Sequence, residues 1–96
     1  MNHVVANQLL ASELQAYREL PFPDLRQLVG ERSTRHIRGK DGVDYDLTMI
    51  VRWRLSDDGD IRVIGFIGES NWGSPHDTLD DTIVVPNPSP RSADQA

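Results

Sequence analysis

A chain of 96 residues, 38% hydrophobic and 26% charged, has room for one domain around one core and is too apolar for a disordered polymer. It has no cysteine, which excludes disulfide staples, thiol nucleophiles and cysteine-based zinc sites. A net charge of −5 argues against non-specific nucleic-acid binding, where phosphate contact needs a basic footprint.

The charge is unevenly placed. Residues 1–30 carry three acids against two bases, residues 31–68 seven against seven, and residues 69–96 five against one. No basic segment followed by an apolar run opens the chain, and nowhere do about 18 apolar residues follow one another. The expectation is a cytoplasmic protein without a membrane anchor and without a cofactor.

From Val4 to Leu20, Ala6, Leu9, Leu10, Leu14 and Tyr17 recur at three- and four-residue steps, with Gln8, Glu13, Gln15, Arg18 and Glu19 between them. This spacing predicts an amphipathic helix, stopped by Pro21. Pro23 to Val29 reads as a second, short helix, with Asp24 near its positive end and Gly30 as its stop. Leu25, Leu28 and Val29 form its apolar side.

Between Val43 and Leu55, Val43, Tyr45, Leu47, Met49, Val51, Trp53 and Leu55 alternate with polar residues, Ile50 alone breaking the pattern. A period of two predicts a long strand with one face on the core and the other wet. Glu31 to Gly39 and Ile61 to Glu69 read as its antiparallel neighbours, joined through Lys40-Asp41-Gly42 and through Ser56 to Asp60. If Gly39 faces Val43, Ile37 meets Tyr45 on the core side, while Arg38 meets Asp44 and His36 meets Asp46 outside, opposite charges facing each other. If Leu55 faces Ile61, Trp53 meets Val63, Met49 meets Ile67 and Arg54 meets Arg62. Thr82 to Val85, closed by Pro86, is the candidate for a fourth, edge strand. The fold class expected is α+β, a long and a short helix on one face of a three- or four-stranded antiparallel meander. The domain runs over residues 1–86, with helices in 4–29 and sheet in 31–85, and residues 87–96, rich in proline and serine, read as a disordered tail.

Two surface features are candidates for function. Arg52, Arg54 and Arg62 gather on the outer face, an arrangement that suits an anion or an acidic partner unless Asp57, Asp58, Asp60, Asp80 or Asp81 neutralises it within the chain. Beside them Ile50, Ile64 and Phe66 form an apolar group on the face that should be wet, either covered by Leu79 to Val85 or open to a partner or a second copy. Trp72, in the turn-rich loop from Ser70 to Pro75, is a binding anchor or a cap on the core.

The remaining features are weaker. His36 beside Asp46 reads as a cross-strand surface pair, because no serine elbow or third catalytic member is placed with it. His3, His36 and His76 lack metal-ligand spacing, and Asp57-Asp58-Gly59-Asp60 lacks the length and terminal glutamate of a calcium loop. Gly65 and Gly68 sit inside a strand and mark a bulge or close backbone packing. The function expected is therefore a non-catalytic binding or protein-interaction module, with self-association as a homodimer one form of it. The rival is a small enzyme or ligand-binding protein with a pocket between helices and sheet, lined by Tyr45, Trp53, His36 or His76. Single-stranded nucleic acid on the arginine-bearing face would need aromatic platforms, and only Phe66 qualifies.

Overall fold

A computed structural model of the chain describes residues 2–70 and 78–88. Helix α1 (His3–Arg18) begins at Asn2, whose side-chain oxygen accepts from the Val4 and Val5 backbone N–H groups at 3.0 and 3.2 Å. Two of the donors that a helix start leaves unpaired are thereby satisfied. The helix gives way at Glu19, before Pro21. Helix α2 (Phe22–Gln27) carries Pro23 in its first turn and is shorter than the Pro23 to Val29 expected. Leu28 and Val29 are already in a turn, and Gly30, at φ +92°, takes the left-handed conformation that redirects the chain. Its N–H then donates to the Val51 carbonyl at 2.8 Å, so α2 leads directly into the sheet.

The sheet is a four-stranded antiparallel meander in sequence order: β1 (Arg32–Arg38), β2 (Asp44–Trp53), β3 (Ile61–Glu69) and β4 (Thr78–Val85). The first hairpin has the expected register, with Ile37 opposite Tyr45, Arg38 opposite Asp44 and His36 opposite Asp46. The Gly39 N–H donates to the Val43 carbonyl at 2.8 Å, and Gly42 turns the chain at φ +81°.

The second hairpin does not have the expected register. Trp53 faces Ile61, Met49 faces Gly65, and Arg52 rather than Arg54 faces Arg62, a slip of two residues. The strands part after Trp53. One further bond continues the ladder, from the Arg54 N–H to the Asp60 carbonyl at 2.8 Å, and Leu55 is left 84% exposed. A slip of two leaves every side chain on its intended face, because alternation has that same period. The fourth strand is present and longer than the run Thr82 to Val85, beginning at Thr78 beside Gly68.

Both helices lie on one face, α1 over β3 and β4. Val5, Ala6, Leu10 and Leu14 of α1 and Leu25 of α2 meet Tyr45, Leu47, Met49, Val51, Ile61, Val63 and Ile67 of the sheet, all of them buried. Leu79, Ile83 and Val85 extend this core to the edge strand. Gly65 lies beneath the helix, where a Cβ would come within 2.7 Å of Leu10 Cδ1 and 3.1 Å of Met49 Sδ. Its place in a strand thus reflects close packing. β1 contributes little to the core, but Arg35 reaches from it to Glu13 of α1 at 2.6 Å.

Candidate functional site

The helices leave the opposite face of the sheet without a covering element among the described residues. Alternation places Arg32, Thr34, His36 and Arg38 of β1, Asp44, Asp46, Thr48, Ile50 and Arg52 of β2, Arg62, Ile64 and Phe66 of β3, and Thr78, Asp80, Thr82 and Val84 of β4 on this face. The two ends of the face differ in kind.

At the end near the first hairpin, every row is internally paired. Arg38 donates from Nε and Nη2 to the two carboxylate oxygens of Asp44 at 2.9 and 3.2 Å, a paired fork that holds Asp44 below the usual carboxylate range and pushes Arg38 up. In the next row Asp46 Oδ1 lies 2.7 Å from His36 Nδ1 and accepts from Ser70 Oγ at 2.8 Å. These bonds, Ser70 first and His36 second, hold the Asp46 carboxyl low. The row after that joins the Thr34 and Thr48 hydroxyls at 3.0 Å.

Ser70 therefore supplies the third member that spacing could not place beside His36 and Asp46, yet the three do not form a nucleophilic relay. Such a relay needs the carboxylate on one ring nitrogen and the hydroxyl on the other, so that the imidazole can take the hydroxyl proton. Here Ser70 Oγ lies 3.1 Å from the same Nδ1 that faces Asp46, and its hydrogen goes to the carboxylate. The trio clips β1, β2 and the end of β3 together. His36 is moreover on the face away from the helices, so it cannot line a pocket beneath them; of the other proposed liners Tyr45 is fully buried, with its hydroxyl donating to Asp41 at 2.7 Å, and Trp53 is half-buried against the core. His76 lies outside the described residues.

At the other end apolar and cationic side chains predominate, with Thr82 and Asp80 at the edge strand. Ile50 faces Ile64 directly, with Arg32 on one side and Thr82 on the other. Phe66 lies between Thr48 and Asp80 and is 37% exposed, and Val84, beside Arg62, is 38% exposed. Leu79 to Val85 lies beside β3 as its neighbour, not across the Ile50, Ile64 and Phe66 group. Val84 was missed as a member of that group, because the β4 register that aligns it with Arg62 depends on a strand start that the turn-rich loop conceals.

Arg52 and Arg62 face each other across β2 and β3. Among the described residues neither makes an ion pair, and neither do Arg32 and Arg54; the Arg62 Nε is buried and has no hydrogen-bond partner. Of the five acids that could have neutralised the cluster, Asp57 is exposed in the turn after β2, and the other four are engaged elsewhere or stand apart. Asp58 takes Arg26 at 2.6 Å, Asp60 accepts from the Asn87 N–H at 3.0 Å, and Asp81 accepts from the Thr82 N–H at 2.8 Å. Asp80 is opposite Phe66, two rows from Arg62. Trp72 lies outside the described residues. No group of three histidine, aspartate or glutamate side chains suited to a metal ion occurs among the described residues, and no helix there is long and apolar enough to cross a membrane. No family model, curated protein or solved structure matches the chain.

Proposed function

We propose that this chain is a small non-catalytic binding module whose working surface is the uncovered face of its sheet, at the end formed by Ile50, Ile64, Phe66, Val84 and the flanking arginines. One observation carries the reading: on a single face, one end pairs its polar side chains across β1 and β2 row by row, while the other has cations with no ion-pair partner among the described residues beside exposed apolar side chains. Unpaired arginines opposite one another repel, and an apolar group in water gains nothing from being there. Both become favourable when a partner covers them. The partner is a protein, with a second copy of the chain as one form of it. A cytoplasmic setting belongs to the same reading and rests on the cysteine-free composition.

Phe66→Ser tests whether the face serves contact or the core. Phe66 stands on the side away from the helices, so the substitution is expected to cost less than about 1 kcal/mol in denaturant unfolding, against about 3–5 for a core phenylalanine cut back. A core-sized loss would remove the proposal. Light scattering over a concentration series addresses the second copy: a rising mass that Phe66→Ser abolishes identifies a homodimer, and a constant monomer mass leaves a different protein as the partner.

A further inference from the structure

We infer that the occupant of this face is an acidic polypeptide segment carrying apolar side chains, its carboxylates seated on Arg52 and Arg62; the inference rests on the reading of the face as a contact surface. Arg52 and Arg62 occupy one cross-strand row, with Arg32 one row away, and the described residues offer none of the three a carboxylate. A guanidinium presents parallel donors that match a carboxylate, and among the described residues no carboxylate pairs with Arg62, whose Nε is buried without a hydrogen-bond partner. The apolar rows Ile50–Ile64 and Phe66, with Val84 at the margin, adjoin these charges, so the occupant must bring apolar groups as well as anionic ones.

Three other occupants fit less well. Nucleic acid carries closely spaced charge toward a chain of net −5, and this face has one aromatic side chain, Phe66, on which a base could stack. Inorganic phosphate would satisfy the arginines but leave the apolar rows exposed. A second copy packed with its strands running the same way would set Arg32, Arg52 and Arg62 against their symmetry mates. An acidic segment meets both demands with opposite charge, and the chain's own negative excess falls mainly beyond residue 68, whereas residues 31–68, which carry the three arginines, balance seven acids with seven bases.

The test uses the full chain, labelled with nitrogen-15, and follows backbone amide shifts during titration. The probes are a blocked peptide alternating glutamate and valine, its glutamine and lysine counterparts, sodium phosphate, and a deoxythymidine oligonucleotide. The glutamate peptide is expected to move the amides of Ile50, Arg52, Arg62 and Ile64, with binding that weakens as salt rises. Arg52→Gln and Arg62→Gln should each lower its affinity about tenfold. Arg52 is exposed, so that variant keeps the fold even if Arg62→Gln disturbs packing. Equal binding of the glutamine peptide overturns the inference but leaves the face a contact surface. So does the same perturbation from the oligonucleotide or from phosphate at lower concentration, or from raising the protein concentration alone. If no probe and no increase in protein concentration moves these amides, the inference and the contact reading fail together.

Discussion

Three carboxylates of the first hairpin are held below their ordinary range, each by a named donor: Asp41 by the Tyr45 hydroxyl, Asp44 by Arg38, and Asp46 by Ser70 and His36. A depressed native value means that the stability these groups contribute is present above about pH 4, where the unfolded chain titrates, and is lost as the pH falls through the native values. The β1–β2 pairing should therefore loosen first in acid. Amide hydrogen exchange, corrected for intrinsic rates, should show β1 losing protection below about pH 4 while the centre of β3 keeps it; equal loss in both would refute this. Tyr45 behaves in the opposite sense. Burial first, and the bond to Asp41 second, push its hydroxyl up to about 12. The unfolded tyrosine ionises near about 10, so its contribution is intact below that value and is lost as the pH rises toward the native one. In a Tyr17→Phe background the phenolate absorbance of the folded protein should have its midpoint near about 12. Arg62 is the residue where stability and binding should part. Arg62→Met removes a like-charge neighbour and an unbonded buried nitrogen, so unfolding free energy should stay level or rise by up to about 1 kcal/mol, while affinity for the acidic peptide falls about tenfold.

Among the elements, β3 carries the tightest constraint, because Leu10 of α1 packs directly against its Gly65. Gly65→Ala needs Leu10 and Met49 to move inside a filled core, and should cost about 1–3 kcal/mol in denaturant unfolding. A neutral result would mean that the Leu10 and Met49 side chains give way without cost. The hairpins show how far residues alone lead. Three loop residues and the charge matches Arg38 to Asp44 and His36 to Asp46 were enough to define the first register. The second was missed by two residues, because Leu55 continues the apolar alternation although it has left the ladder, and Asp58, at φ 63°, turns within a wider loop. Alternation names a face without fixing a register, so the Ile50, Ile64 and Phe66 group was legible while the Arg52 to Arg62 pairing was not. Ser70 was overlooked for a different reason: the expected register sets it opposite Asp46 and the observed one level with Asp44, so either leaves it near that carboxylate, but it follows the last residue of β3 and reads as the start of the turn-rich loop.

Across the whole molecule, the sheet carries helices on one side and opens on the other, and its strands follow one another without a crossover. Most pairings are consequently local, formed by closing short loops. The loop after β2, like the Ser70 contact with His36, is tied over longer separations. There Arg26 reaches Asp58 across 32 residues, and Asn87 reaches back to Asp60 and to the Asp58 carbonyl across 27 and 29. Asn87, where the polar tail was expected to begin, is half-buried by these bonds. Early and late stretches of the chain thus converge on one tip, like straps on a common buckle. Such long closures cost more chain entropy than a hairpin turn does, which makes this tip the hardest place at which to fasten the outermost strand and, on unfolding, the expected place for it to peel away.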